Sequence, residues 1–203
     1  MRAFDEHIAG FRASTLGEFA NREPWELTRG SIEVVEQLLH RLGEHYAVTA
    51  DVAVHLTATI EDAAILKGPA IIGPDCFIAA GAYVRGGCWL EGGCILGPGV
   101  ELKSSFLFQG SKLAHFNFVG DSILGRDVNL EAGAIIANYR NERPGTAISF
   151  RHGGKRVETG LDKFGALVGD GVKIGANAVI APGAFVAPGT IVPRLSLLDQ
   201  SGN

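Results

Sequence analysis

Ile72-Gly73-Pro74-Asp75-Cys76-Phe77-Ile78-Ala79-Ala80-Gly81-Ala82-Tyr83-Val84 decides the fold, because an aliphatic residue returns at every sixth position and a small one follows each by four. Outward from this stretch the first column reads Val54, Ile60, Leu66, Ile72, Ile78, Val84, Leu90, Leu96, Leu102, Phe108 and Ala114. The second reads Ala58, Ala64, Ala70, Cys76, Ala82, Cys88, Cys94, Val100, Phe106 and Lys112. The register returns at Val168, Ile174, Ile180, Val186 and Val192, with Val172, Ala178, Ala184 and Thr190 in the second column. A large and a small residue alternating inside a narrow core is the pattern of a hexapeptide-repeat parallel β-helix. Three short strands per turn give about 18 residues per turn, with turns stacked roughly 4.8 Å apart. Residues 18 apart are then vertical neighbours.

The coil is expected over 49–197. Its register slips at Phe118-Val119, where Val119 to Leu124 is a five-residue step, and resumes through Leu130 and Ile136. An extruded loop over about 138–166 breaks the repeat and carries Arg140, Arg143, Arg151, Lys155, Arg156 and Lys163. Loops this long in compact domains are usually functional. Residues 1–48 form an N-terminal helical segment. Within it, Ser31 to Leu42 sets Ile32, Val35, Leu38, Leu39 and Leu42 on one helical face, with Ser31 as cap and Gly43 as stop. Pro24-Trp25-Glu26-Leu27 is expected to pack that segment onto the coil.

A net charge of −4 and a pI near 5.9 supply no basic stripe for a phosphate backbone, so nucleic acid is not an expected partner. No apolar run approaches the roughly 18 to 20 residues that span a bilayer, and Met1 to Gly10 lacks the parts of a signal peptide, so a cytoplasmic location is expected. Cys76, Cys88 and Cys94 all fall in the small inward column, where a thiol packs as a compact hydrophobe. No cysteine-histidine ligand spacing accompanies them, and no metal is predicted.

Positions just after the inward aliphatics point outward, and there Lys67, Arg85 and Lys103 stand 18 apart as a vertical basic column. Like charges on adjacent rungs repel, so the column needs an offset. Either a bound phosphate or the carboxylates of Glu101 and Glu91 would provide it. His115 takes the same outward slot just before the slip.

Four further strings carry a specific resemblance. They are Glu101-Leu102-Lys103-Ser104-Ser105, Ser111 to Asp121 around His115, Val128-Asn129-Leu130-Glu131-Ala132-Gly133-Ala134-Ile135-Ile136-Ala137-Asn138, and Gly154-Lys155-Arg156-Val157-Glu158-Thr159-Gly160 with Gly165 to Asp170. Together they resemble, over about residues 70–194, the acetyltransferase half of bifunctional glucosamine-1-phosphate N-acetyltransferase / N-acetylglucosamine-1-phosphate uridylyltransferases. No glycine-rich phosphate-binding segment precedes Trp25, so the nucleotidyltransferase half is expected to be missing, and a separate nucleotidyltransferase is a possible partner. The resemblance implies a left-handed coil, a homotrimer with active sites between subunits, acetyl-CoA as co-substrate, and an amino-sugar phosphate or nucleotide sugar as acceptor on the route to UDP-N-acetylglucosamine.

Residue by residue, the resemblance makes His115 the general base and places Asn138 near the reacting amine. Neutral imidazole, with a pKa near 6.5, suits removal of a proton from an attacking amine. Arg85 and Lys103 match the cations that hold the sugar phosphate, and Lys155 is the closest match to a loop lysine that does so. Glu101 and Asn129 match residues that orient sugar hydroxyls. The backbone around Ala132 to Ala134 matches the thioester turn, where one N–H suits an oxyanion. Ala176 and Arg194 match the coenzyme groove, Arg194 at the CoA phosphate. Two positions depart from the pattern. Phe118 stands where a sugar-contacting tyrosine is common, and Glu131 replaces a glycine beside the acetyl site. The departures leave open an acyltransferase for a different sugar and a non-catalytic homologue that binds a sugar phosphate.

Overall fold

The computed structural model describes residues 3–202. Residues from Val52 onward wind into a parallel β-helix of three sheets, each built from one short strand per turn. The first face runs from Val52–His55 to Ala184–Val186, the second from Thr59–Ile60 to Ile191–Val192, and the third from Ile65–Leu66 to Leu197–Leu198. The coil starts three residues later than the repeat suggests. Tyr46–Thr49 lies antiparallel to Val52–His55, joined through Ala50 and Asp51 at φ 48° and 61°. A two-residue turn with both φ values positive matches strand twist, and the added strand covers the free edge of the first face.

The inward column follows the six-residue period from Ile72 to Leu102, again from Leu124 to Ile136, and, past the extruded loop, from Val168 to Val192. Between them the structure corrects the register. Leu107 and Leu113 point inward, and Phe108 and Ala114 do not belong to the inner core. Leu102 to Leu107 is therefore a five-residue step, a second one beside Val119 to Leu124, and vertical neighbours here stand 17 apart, as in Glu101 over Phe118. The second column is corrected too. Phe106 packs on the outer side and Lys112 is exposed, while Ser105, Ser111, Asn117 and Ser122 are buried within the coil. Each of these polar groups is bonded: Ser105 Oγ donates to Lys103 O at 2.7 Å, Ser111 Oγ to Gly125 O at 2.7 Å, and Ser122 Oγ to Gly120 O at 2.7 Å. Hydrogen bonding removes the penalty of burying them.

A second apolar cluster lies outside the coil, over its first face. Trp89, Phe106, Phe108, Ile123, Leu167 and Phe185 meet Phe4, Phe11, Phe19 and Trp25 of the N-terminal segment there. Trp25 stacks on Phe185 of the coil, the contact that the Pro24-to-Leu27 reading expects, and packs edge-on to Phe150 and Phe164 of the loop. Helix α1 spans Ala3–His7, α2 Pro24–Arg29 and α3 Ser31–Leu39. Helix α3 is shorter than expected and is turned differently. Its buried face is Val34, Val35 and Leu38, Ile32 is exposed, and Ser31 does not cap it. Ser31 Oγ instead donates to Gly86 O at 2.9 Å, fastening the helix to the coil. Contact there is close enough that a Cβ on Gly87, at φ +82°, would stand 2.6 Å from Ile32 N.

The extruded loop is folded. Ser149–His152 and Lys155–Glu158 pair as an antiparallel hairpin whose Phe150 and Val157 join the outer cluster. Its cations do not gather into one patch. Arg140 pairs with Asp199 at 2.7 Å, and Arg156 with Glu158 at 2.5 Å.

Candidate active site

The third face stacks Arg85 on Lys103 and Tyr83 on Glu101 on Phe118. Short strands alternate side chains in and out, so Val84, Leu102 and Val119 fill the core while their neighbours face outward. The basic column carries its own counter-charges. Arg85 Nη2 lies 2.7 Å from Glu101 Oε1, and Lys103 Nζ lies 2.9 Å from Asp121 Oδ2. Lys67 sits over the Tyr83 ring at 5.2 Å from its centroid. Asn138 Nδ2 also donates to Asp121, so Lys103, Asp121 and Asn138 form one connected group. Sequence reasoning missed Asp121 because its carboxylate comes from a turn, at φ 46°, and not from a strand position. Gly120 leaves room for this group: a Cβ there would stand 2.7 Å from Asn138 Nδ2 and 2.8 Å from Phe118 Cζ.

His115 is exposed at the corner between Lys112–Leu113 and Phe118–Gly120, two residues past inward Leu113, not in the outward strand slot beside the basic column. The corner is braced by Asn117. Its Oδ1 accepts from His115 N at 3.1 Å, and its Nδ2 donates to Glu131 O at 2.8 Å and Ala134 O at 3.0 Å. No hydrogen bond or ion pair joins the His115 side chain to Asn138 among the described residues. Ala134 itself is buried in the core, and only its backbone faces the turn. In that turn Gly133 N donates to His115 O at 2.9 Å and Ala134 N to Glu131 O at 3.2 Å. The Ala132 N–H is left without a partner among the described residues.

Asn129 stands on the second face and lines a groove of about 230 Å³ with Glu131, Lys173 and Arg194. Glu131 occupies the groups expected for the coenzyme. Arg194 grips it, and the Ala176 N–H donates to its Oε2 at 2.8 Å. The guanidinium first, and this N–H second, hold the Glu131 carboxyl below its usual range.

Lys155 is corrected. It sits in the hairpin among Glu6, Trp25, His152 and Arg156, in a pocket that does not include Arg85 or Lys103. Lys163 is the loop lysine that shares a cleft with Lys103 and Asp121. Backbone bonds hold it near: Phe164 N donates to Asn138 O at 3.0 Å and Gly165 N to Asp121 O at 2.9 Å. His, Cys, Asp and Glu side chains form no group able to hold a metal among the described residues, and no helix there is long and apolar enough to cross a membrane.

Residues 58–104 match the family model described as bacterial transferase hexapeptide (six repeats). The chain is 41% identical over 81 residues to a bifunctional sugar-1-phosphate nucleotidylyltransferase/acetyltransferase of Sulfurisphaera tokodaii, covering 40% of this chain and 20% of that protein. It is 37% identical over 79 residues to the bifunctional protein GlmU of Methanococcus maripaludis, covering 39% of this chain and 18% of the relative. The match thus spans about a fifth of the length of these curated relatives. Among solved structures, the acetyltransferase domain of PglB from Neisseria gonorrhoeae, in complex with acetyl coenzyme A, is 12% identical at a TM-score of 0.40, covering 82% of this chain and 60% of that one. A perosamine N-acetyltransferase from Caulobacter crescentus, in complex with CoA and GDP-perosamine, is 16% identical at a TM-score of 0.32, covering 83% and 61%.

Proposed function

We propose that the chain is a CoA-dependent N-acetyltransferase acting on an amino-sugar phosphate or nucleotide sugar, as a homotrimer in the cytoplasm. The observation that carries this reading is the adjacency of the exposed His115 corner to a face stacking Arg85, Glu101, Lys103 and Phe118, with Asn138 joined to it through Asp121. In this mechanism the acceptor amine adds through nitrogen to the thioester carbonyl carbon while His115 takes the amine proton. The oxyanion so formed accepts the Ala132 N–H, the donor of that turn without a partner among the described residues. Collapse of the tetrahedral adduct breaks the C–S bond, and the departing CoA thiolate takes up a proton. Arg85 and Lys103 attract the acceptor's phosphate, and Glu101 and Asn129 accept from or donate to its hydroxyls. Phe118 lacks a hydroxyl to add to that set, which favours an acceptor held through its ring face.

Glu131 favours a second reading, a homologue that binds a sugar phosphate without transferring an acyl group, because its carboxylate lies on the proposed coenzyme groups. One assay separates the two. Purified protein with acetyl-CoA and a panel of amino-sugar phosphates is expected to release free thiol with at least one acceptor; binding of acceptors without thiol release would establish the second reading.

A further inference from the structure

The side-chain amide of Asn138 has a fixed orientation. Its partner is Asp121, whose carboxylate also accepts from Lys103 Nζ, at 3.1 Å on one oxygen and 2.9 Å on the other. A carboxylate paired with an ammonium only accepts hydrogen bonds, so the half of the amide turned toward it is the NH2 group. Asn138 Oδ1 is the half turned away. It accepts no hydrogen bond among the described residues and is not enclosed in the interior. Backbone bonds hold both partners in place. Asp121 N donates to Lys103 O and Asp121 O accepts from Gly165 N, each at 2.9 Å, while Asn138 O accepts from Phe164 N at 3.0 Å. An amide locked in this way by its supporting shell is preorganised to present one atom to a ligand.

We infer that Asp121 is a positioning residue that sets which nucleophile the site accepts: by holding Asn138 Nδ2 it makes Asn138 present a carbonyl oxygen, which selects an amine over a hydroxyl. The inference rests on the proposed reading of the chain as an N-acetyltransferase, and it adds the residue that separates N-transfer from O-transfer. Before reaction, an ammonium donates to Asn138 Oδ1 through a charge-assisted hydrogen bond, stronger than one from a hydroxyl. Discrimination then grows along the reaction. Once the ammonium has lost a proton to solvent, the amine adds to the thioester carbonyl and gives a second proton to His115. One N–H remains, still donating to Oδ1, and the amide product keeps it. A hydroxyl gives up its only proton in the same step and leaves an oxygen lone pair facing the Asn138 carbonyl. A polar group left unpaired in this way is a strong basis for rejecting the wrong substrate.

Calorimetric titration of the full chain with glucosamine 1-phosphate and glucose 1-phosphate tests it, because these ligands differ only in an amine or a hydroxyl beside the anomeric carbon. The parent is expected to bind the amine ligand about ten-fold more tightly. Asp121→Asn suits the φ of 46° at this position and replaces the fixed acceptor with an amide, so Asn138 is free to turn. Its preference is expected to fall to within about two-fold, with glucose 1-phosphate bound as tightly as by the parent. Asn138→Ala keeps the pair of Lys103 with Asp121 and is expected to lose the preference equally. A merely structural role for Asp121 weakens both ligands together and leaves their ratio intact, which overturns the inference. Loss of preference in Asp121→Asn but not in Asn138→Ala also overturns it, since the carboxylate itself would then meet the ammonium. So does a parent that binds the two ligands alike, or neither. Thiol release scores the transferase reading separately: a preference lost in both variants with no transfer by the parent leaves Asp121 assigned to amine recognition and rejects the reading. Transfer to glucosamine 1-phosphate by the parent, with the preference unaltered in both variants, does the reverse.

Discussion

Arg194 holds Glu131 in a two-point ion pair, Nε to Oε2 and Nη2 to Oε1 at 2.7 Å each, across 63 residues of chain. With the Ala176 N–H on the same carboxylate, three donors of the proposed coenzyme groove converge on one side chain. Glu131→Gly is therefore expected to release them and tighten CoA binding by about ten-fold, since they become free to hold an anionic coenzyme through charge-assisted hydrogen bonds. Fluorescence or calorimetric titration with CoA checks this. Unchanged or weaker binding would mean that CoA does not use Arg194.

His115→Ala is expected to lower the rate of thiol release by about 10² to 10⁴-fold, the usual contribution of a general base. CoA affinity should stay at the parent value, since the imidazole faces the acceptor amine in the proposed mechanism. A variant matching the parent rate from pH 5.5 to 8 would remove His115 from the chemistry.

Lys103 has a structural role that its place in a basic column did not suggest. Its side chain is 19% exposed and that of Asp121 only 8%, so Lys103→Ala strands a nearly buried carboxylate with Asn138 as its remaining side-chain partner. A loss of about 2 to 3 kcal/mol in stability is expected. Lys103→Ala combined with Asp121→Asn should recover most of it in urea unfolding while phosphate binding stays weak. Full recovery of binding in the double variant would show that Lys103 acts only as a counter-charge.

Acid stability should depend on Asp199. Its bond to Arg140, first among the causes, holds the carboxyl down to about 2 from the ordinary 3.8. A depressed folded-state value contributes stability that is full above pH 3.8 and is lost as pH falls through about 2. Parent and Asp199→Asn are thus expected to differ in thermal midpoint at pH 5 and to converge near pH 2. A constant gap across that window would contradict the assignment.

The six-residue period made the coil legible wherever only one side of a strand is apolar. It failed between Leu102 and Val119, where the first face is buried on both sides, inside by Leu107 and outside under the N-terminal helices by Phe106 and Phe108. Periodicity cannot choose between two apolar faces, and Phe108 happened to keep the count. The signal that would have chosen was polar: Ser105, Ser111, Asn117 and Ser122 repeat at the corrected spacing. Helix α3 erred for a related reason, since Ile32 and Val34 offer rival faces and only the contact with Gly87 selects one. Lys155 was mislaid because hairpin pairing folds the loop back on itself, a long-range event that local spacing does not encode.

The three interior thiols give the coil a built-in clock. Cys76, Cys88 and Cys94 occupy neighbouring turns with almost no exposure, and burial pushes the Cys88 thiol up to about 11, far from the reactive thiolate. In a stack whose turns lean only on their neighbours, a reagent reaches these sulfurs when adjacent rungs part, and the order of alkylation dates which turn opens first.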